Sequence, residues 1–198
     1  MLPIITISRE FYAGGTTVAK GLSDVLGIPW YEHDISKLAA KISGYTEEEI
    51  KEEGEEISKL DTMIDAMLSG LVSYKSSHDE IFKAQREAVL ELAKEPCIIV
   101  GRCAGPMLRD ENVKTFDIFL YADEEIRVKR AIDVTKVSEA EARKHIEKRD
   151  SFRRAYYKKY TGHEYNDFHN YSLCIDTGLL DYDKVIEVAA TAIKGSSK

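Results

Sequence analysis

The sequence predicts an α/β fold in which a parallel β-sheet is flanked by helices. Short apolar runs rich in β-branched and aromatic residues alternate with stretches of helical periodicity along the 198-residue chain, and this alternation is typical of parallel sheets with helical crossovers. The predicted strands cover residues 3–8, 29–31, 96–101, 115–121 and 171–176. The length is that of one domain with an insertion, so we expect a single unit over residues 1–198.

The most informative segment, residues 4–27, predicts a strand, a glycine turn and a helix in that order. A β-branched run at its start suits a buried parallel strand, and Gly14 and Gly15 then allow a tight turn. The helix that follows has apolar residues at helical spacing: Val18, Leu22, Val25 and Leu26. Backbone N–H groups and the helix dipole converge on such a turn, which is the geometry of a phosphate site. For two glycines alone, an ordinary strand-to-helix turn is the alternative.

Composition excludes several classes of protein. The net charge of −7 argues against a general nucleic-acid binder, and no apolar run approaches the roughly 20 residues needed to span a membrane. The N-terminus carries neither a basic segment nor a secretion signal. Cys97, Cys103 and Cys174 are odd in number and lack C-x-x-C spacing, so we expect reduced, buried thiols. These features favour a cytoplasmic protein with no nucleic-acid or membrane partner.

Between residues 36 and 95 the alternation of strands and helices stops, and we expect a helical insert there. Thr46 followed by Glu49 predicts a capping box. An apolar seam then extends over residues 57–74, and its members are Ile57, Leu60, Ile64, Met67, Leu71 and Tyr74. This seam has two interpretations, packing within its own domain or contact across a homodimer.

Two short segments that follow predicted strands carry candidate ligand-binding side chains. Arg102 lies in GRCAG after the third strand, at the edge where α/β sheets bind ligands, and its planar guanidinium suits a phosphate. A surface salt bridge is its alternative role. His33 and Asp34 end the predicted second strand. Asp34 is a candidate acceptor of hydrogen bonds from a ribose or base, or else an acidic helix cap, and His33 is interpreted as a neighbour.

Cationic side chains crowd the segment between the fourth and fifth strands of this otherwise acidic protein. Ser138 and Glu141 predict a capping box at the start of a long helix. The cations are Lys129, Arg130, Arg143, Lys144, Lys148, Arg149, Arg153, Arg154, Lys158 and Lys159. Arg149 and Arg153 are four residues apart and share one helix face, and Asp150 can orient one of them or help to hold Mg²⁺ through water. The tyrosines that follow are expected to pack rather than to stack on a base.

These motifs resemble, in their order, the cytidylate kinase-like family of the P-loop nucleoside monophosphate kinases. The segment ISREFYAGG at 7–15 is similar to the family's opening ISREFGSGG, GRCAG to its strand-end GR segment, and 146–153 to its lid motif I-x-K-R-D-x-x-R. The resemblance covers nearly the whole chain. It implies a three-layer P-loop kinase fold, a sheet order of 2-3-1-4-5, an acceptor-binding insert at 36–95 and a basic lid at 135–168.

The resemblance implies an ATP- and Mg²⁺-dependent phosphotransferase that acts on a nucleotide or another small phosphorylated acceptor. The implied phosphate-binding loop consists of Arg9, Ala13, Gly14, Gly15, Thr16 and Thr17, with Mg²⁺ reached through the hydroxyl of Thr16 or Thr17. The implied acceptor site contains Asp34 and Arg102, and the implied lid residues are Arg130, Arg149, Asp150 and Arg153.

The loop departs from the P-loop pattern G-x-x-x-x-G-K-[ST] at its cation. In an alignment without gaps, Arg9 stands at the position of the first glycine. Gly15 stands at the position of the lysine, which normally neutralises the β- and γ-phosphates. Arg9 is the candidate to supply that charge, and pairing with Glu10 or another acid is its alternative role. Two other functions stay open: a nucleotide- or anion-binding regulator without catalysis, and a structural dimer with a relic loop.

Overall fold

A parallel β-sheet forms the centre of the molecule, and the structure, a computed structural model, describes residues 2–53 and 77–196. The strands are β1 (Ile4–Arg9), β2 (Trp30–Tyr31), β3 (Ile98–Val100), β4 (Thr115–Tyr121) and β5 (Leu173–Asp176). Neighbouring strands are parallel, and their order is β2-β3-β1-β4-β5. The predicted fold class and strand order are confirmed, and each predicted strand end lies within two residues of the observed one.

Helices follow each strand and cover the sheet. They are α1 (Gly15–Leu26), α2 (His33–Ser43), α3 (Glu47–Glu53), α4 (Ser77–Leu92), α5 (Ala104–Asp110), α6 (Glu124–Thr135), α7 (Glu139–Thr161) and α8 (Tyr182–Ser196), with a short 3₁₀ helix at Phe168–Asn170. Between β2 and β3 the described residues form α2, α3 and α4, in the region predicted as an insert. The predicted seam over 57–74 lies outside the described residues.

The sheet has an apolar cluster on each face, because side chains alternate along its strands. On β1, Ile5 and Ile7 lie in one cluster and Ile4 in the other. The first cluster packs α1 and α8 on the sheet through Val18, Leu22, Val185 and Ile193. The second contains Ile35, Ile81, Val89, Met107, Tyr156 and Tyr157 from α2, α4, α5 and α7. The layers are therefore helix, sheet and helix.

Local sequence patterns are confirmed at several positions. In both predicted capping boxes the hydroxyl accepts from the glutamate N–H, at 3.2 Å for Thr46 and 3.3 Å for Ser138. The packing interpretation of the tyrosines is also confirmed, because Tyr156, Tyr157 and Tyr165 are buried and Tyr160 and Tyr171 pack against the same cluster.

The end of the second strand differs from its prediction. His33 and Asp34 do not end the second strand, because β2 stops at Tyr31 and α2 begins at His33.

The three cysteines are free, and burial raises the pKa of the Cys97 thiol to about 11. None of the described helices combines the length and the apolar character needed to cross a membrane.

Candidate active site

The loop between β1 and α1 has a backbone conformation that only a small residue permits at its end. Tyr12 and Gly14 have positive φ angles of 63° and 88°. A Cβ atom at Gly14 would lie 2.2 Å from Cε1 of Tyr182, so both the backbone conformation and the close contact require glycine. Gly14 has no side chain with which to cap α1. The first amide groups of a helix have no partner within the helix, so such an uncapped start is suited to bind an anion.

A cavity of about 460 Å³ lies over this loop, at the carboxyl end of β1, and is called the loop cavity below. It is lined by Arg9, Glu10, Phe11, Tyr12, Gly14, Gly15, Thr16, Thr17, Glu32, Arg130, Asp133, Val134, Arg153 and Tyr182. Of the predicted loop residues, Ala13 is buried beneath it, and its carbonyl accepts a hydrogen bond from Thr177 Oγ1 at 2.9 Å. The structure thus brings the loop together with Arg130 and Arg153.

Arg9 ends β1 and is fixed at both its backbone and its side chain. The Tyr165 hydroxyl accepts a hydrogen bond from the Arg9 N–H at 3.0 Å and donates one to its carbonyl at 2.9 Å. The side chain then folds back over Gly15, and its guanidinium lies 3.3 Å from a carboxylate oxygen of Glu32. Among the described residues, Arg9 pairs with Glu32 and not with Glu10, which fits its alternative role of pairing with another acid.

Glu32 is a site residue that the sequence analysis missed. One of its oxygens pairs with Arg9, and the other accepts a hydrogen bond from the Thr16 hydroxyl at 2.8 Å. The available signal was its place directly after β2, two residues before the candidate Asp34. Asp34 itself is exposed in the first turn of α2, where it pairs with Lys37 at 3.9 Å. Its position fits the alternative of an acidic helix cap.

Arg102 is buried at the carboxyl end of β3. Gly101, Arg102 and Cys103 all have positive φ angles, of 78°, 57° and 53°, and this turn directs the guanidinium towards α2 and α3. It donates to Ser36 Oγ at 3.2 Å and to the Ile50 carbonyl at 3.5 Å. Within the described part of the chain Arg102 therefore bonds neutral oxygens, and the surface salt bridge considered as its alternative role is not formed there.

A second cavity, with a volume of only about 10 Å³, lies next to Arg102 and is called the inner cavity below. Its lining consists of Ser8, Gly101, Arg102, Cys103, Arg153, Tyr156, Tyr157 and Tyr165. Arg153 lines both this cavity and the loop cavity. Its Nη1 donates to the Arg9 carbonyl at 3.2 Å, and only 8 % of the residue is exposed. Arg153 and Arg102 thus line one small cavity, which has room for about one water molecule.

The other predicted lid arginines have different positions. Arg149 lies one helical turn before Arg153, bonds His145 at 3.2 Å and lines neither cavity. The guanidinium groups of Arg149 and Arg153 both lie over the Phe11 ring, at 5.5 and 5.2 Å from its centroid, which is cation–π geometry. Arg130 lines the loop cavity and donates to the Tyr12 carbonyl at 3.2 Å.

Asp150 has a structural partner that was not predicted. One of its oxygens accepts from the Phe11 N–H at 2.8 Å, and the other bonds Arg127 of α6 at 2.6 Å. Arg127 also lies 3.3 Å from Glu10. Asp150 and Arg127 therefore attach α6 and α7 to the loop. That Asp150 also orients a lid arginine or assists Mg²⁺ stays a prediction.

Burial raises the pKa of Glu10 above its ordinary value of 4.5, although Arg127 opposes the shift. The folded protein therefore holds a proton on Glu10 more tightly than the unfolded chain does. The resulting stabilisation is fully present below the ordinary pKa and is lost as the pH rises through the folded pKa.

The Glu10→Gln variant cannot titrate at this position. We expect the unfolding free energy of the wild type, relative to that of Glu10→Gln, to fall as the pH rises above the ordinary carboxyl pKa of 4.5 and through the raised pKa of the folded state. Urea titrations at several pH values measure this difference. Glu87→Gln removes an exposed carboxylate from α4 and serves as the charge control. A difference that stays constant or grows with pH contradicts the assignment.

Fold and site together define the class of this protein. A five-stranded parallel sheet in this order, with a glycine loop between its first strand and first helix, is the P-loop kinase fold. Arginines from four parts of the chain line cavities at the carboxyl ends of the strands, where α/β proteins bind their ligands.

The chain belongs to the cytidylate kinase-like family, whose profile matches residues 4–179. It is 32% identical over 193 residues to a cytidylate kinase of Methanothrix thermoacetophila, covering 96% of this chain and 98% of that one. A cytidylate kinase of Archaeoglobus fulgidus is 25% identical over 191 residues, covering 96% and 94% of the two chains. The family and the fold are those of phosphotransferases.

Solved structures support the same fold. An uncharacterized protein from Eubacterium ventriosum aligns over 99% of both chains with a TM-score of 0.72 and 25% identity. A shikimate kinase from Bacteroides thetaiotaomicron aligns over 98% of both chains with a TM-score of 0.55 and 13% identity. At that identity the second similarity concerns the fold alone.

Proposed function

We propose that this protein transfers the γ-phosphoryl group of ATP to a nucleoside monophosphate, of which cytidine monophosphate is the first candidate. The position of Arg153 carries the proposal, because this buried cation lines both the loop cavity and the inner cavity that contains Arg102. A phosphoryl group that passes between two phosphates needs its charge neutralised along that path, and the protein's part in such catalysis is positioning and electrostatic stabilisation.

The loop cavity is the proposed donor site. The amide groups of the α1 N-terminus would bind the phosphates of ATP. In the wall of the cavity the Arg130 guanidinium lies 5.0 Å from the centroid of the Tyr182 ring. These planar groups offer a stacking surface for the adenine base. Arg149 would join the site only if α7 moved, because it lines neither cavity in this structure.

The residues of the loop cavity fit a magnesium ion that arrives with the nucleotide. Thr16 and Glu32 place a hydroxyl and a carboxylate 2.8 Å apart in the cavity wall, and oxygen is the ligand that Mg²⁺ prefers. Among residues 2–53 and 77–196 no group of three or more His, Cys, Asp or Glu is placed to hold a metal ion. Thr16 and Glu32 would therefore share the ion with the nucleotide phosphates, whose charge it neutralises when bound.

Arg102 is the proposed acceptor-phosphate ligand. A guanidinium has five N–H donors, and the described contacts of Arg102 use one on Ser36 and one on Ile50. The other donors can bind a phosphate in the fork geometry that arginine favours. Helices α2 and α3 would then carry the groups that read the acceptor's base.

A coupled assay tests the proposal with the full chain, Mg-ATP and a panel of monophosphates that contains CMP, dCMP, UMP and AMP. Phosphoryl transfer that requires Mg²⁺ and prefers one monophosphate supports it. Binding of Mg-ATP by calorimetry without transfer to any acceptor would replace it with the regulator that the missing lysine suggests. Absence of nucleotide binding would leave the structural role.

Arg102→Ala is expected to raise the KM for the preferred monophosphate by about 10- to 100-fold, because a charge-assisted bond to the acceptor phosphate is lost. The KM for ATP should change by less than about twofold, since the loop cavity does not contain this residue. Initial rates at varied acceptor and ATP concentrations separate the two constants. An equal rise in both would contradict the acceptor assignment.

A further inference from the structure

Gly15 stands at the position of the P-loop lysine, and the structure gives no backbone reason for a glycine there. It is the first residue of α1 and is not among the glycines with positive φ. Its neighbour Gly14, by contrast, has a φ of 88° and contacts the Tyr182 ring. A side chain at position 15 is therefore compatible with the backbone, and another part of the molecule must exclude it.

The side chain of Arg9 occupies the space in question. A Cβ atom at position 15 would lie 2.9 Å from Cγ and 3.1 Å from Cδ of Arg9. Real Cβ atoms essentially never approach a neighbour to 2.9 Å, and 3.1 Å is an unusually tight contact. Arg9 has little room to move because it is 7% exposed and Tyr165 bonds its backbone on both sides. Arg9 and a lysine at position 15 would thus compete for one volume at the floor of the loop cavity.

We infer that the phosphate-binding cation of this loop has moved from position 15 to position 9, and that Arg9 and Gly15 form a reciprocal pair in which each excludes the alternative arrangement. The charge reaches the phosphates from the end of β1 instead of the start of α1. This inference rests on the proposed function for its ligand, the polyphosphate of a nucleotide, but the packing half of it can be tested without any nucleotide.

Glu32 is the positioning residue of this arrangement. It holds the Arg9 guanidinium at 3.3 Å with one oxygen and receives the Thr16 hydroxyl with the other. Arginine and hydroxyl therefore lie on the same wall of the cavity, on either side of one carboxylate. A lysine at the start of α1 would need no such support, because its ammonium is a point charge on a flexible stem, whereas a planar guanidinium must be oriented to bind phosphate.

The test is a cycle of four proteins: wild type, Arg9→Ala, Gly15→Lys and the double variant Arg9→Ala/Gly15→Lys. Lys20→Ala, which removes an exposed cation from α1, is the matched charge control. In Arg9→Ala the remaining Cβ lies 3.5 Å from the Cβ of a residue at position 15, which is ordinary contact. The double variant therefore has room for the lysine.

The first measurement is the thermal unfolding midpoint of each protein without nucleotide. Gly15→Lys is expected to lower the midpoint by several degrees in the wild type and by clearly less in the Arg9→Ala background. If Gly15→Lys fails to fold and the double variant folds, the same conclusion follows. An equal loss in both backgrounds overturns the inference, because it shows that Arg9 is not what excludes a side chain at position 15.

The second measurement is the binding of magnesium tripolyphosphate by calorimetry. Arg9→Ala should weaken binding by about 10- to 100-fold, Lys20→Ala by less than about twofold, and the double variant should recover most of the loss. Unchanged affinity in Arg9→Ala, or no recovery in the double variant, overturns the inference. If the cycle behaves as expected but wild-type protein phosphorylates no monophosphate, the proposed function fails while the reciprocal pair stands.

Discussion

Arg153→Ala is expected to lower the rate of phosphoryl transfer by about 10³-fold, the effect typical of an arginine that neutralises the transferring group. Arg153 is the one described cation that lines both cavities. It is held there by the Arg9 carbonyl and by the face of Phe11. Its charge therefore lies between the proposed donor and acceptor phosphates, where the charge of the transition state would develop.

Single-turnover rates at saturating ATP and acceptor measure this effect, and nucleotide affinity is measured separately by calorimetry. Arg154→Ala removes the same charge from the next, exposed position of α7 and should keep the rate within about twofold of the wild type. Arg153→Lys keeps the charge but not the planar fork and should recover only part of the rate. A rate for Arg153→Ala within a few-fold of the wild type would show that this residue is structural.

The parts of the fold that follow from local patterns could be predicted from the sequence. The capping boxes at Thr46 and Ser138 depend on residues three positions apart. The strands depend on short apolar runs, and the alternation of these runs with helical segments along the chain predicts a sheet between two layers of helices. The glycine turn required only that a strand precede it and a helix follow. Each of these signals lies within a few residues of the structure that it determines.

The site could be predicted only in part, because its contacts join distant segments. Glu32 follows a strand of two residues and becomes a site residue only because β2 places it beside Thr16. The sequence places Asp150 beside the lid arginines of its own helix, yet the partner that the structure gives it, Arg127, comes from α6. Arg149 and Arg153 share a helix face by spacing, but only Arg153 lies deep enough to line the cavities.

The missing lysine illustrates the same limit. An alignment shows that position 15 lacks a cation and that Arg9 is a charged neighbour. It does not show that the Arg9 side chain lies where the lysine side chain would start. The position of the Arg9 side chain depends on the direction of the backbone at the end of β1. It also depends on the Tyr165 hydroxyl, which bonds the Arg9 backbone although it lies 156 residues further along the chain.

Asp150→Asn is expected to lower the free energy of unfolding by about 3 kcal/mol, because breaking a buried ion pair leaves an uncompensated charge behind. Asp150 and Arg127 are both buried, with side-chain exposures of 8% and 9%, and their charged atoms lie 2.6 Å apart. The substitution retains the volume of the side chain, and Glu10 still lies 3.3 Å from Arg127. We therefore expect a loss at the low end of the range for such pairs.

Urea unfolding at neutral pH measures the loss, with an unchanged dependence on denaturant as the sign that the unfolded state is unaffected. Glu147→Gln removes a negative charge from an exposed position of α7 and should cost less than about 0.5 kcal/mol. In the double variant Arg127→Met/Asp150→Asn the loss should be smaller than the sum of the two single losses, since no buried charge of the pair is left unmatched.

The Asp150→Asn variant also tests whether the ion pair affects nucleotide binding. Asp150 also accepts a hydrogen bond from the Phe11 N–H at 2.8 Å, and Phe11 supports Arg153. Loosening this attachment should therefore weaken Mg-ATP binding in Asp150→Asn, whereas a purely global loss of stability would leave the affinity of the folded fraction unchanged. Calorimetric titration well below the unfolding midpoint distinguishes these outcomes. Equal affinities in Asp150→Asn and the wild type would show that the ion pair stabilises the fold without shaping the loop.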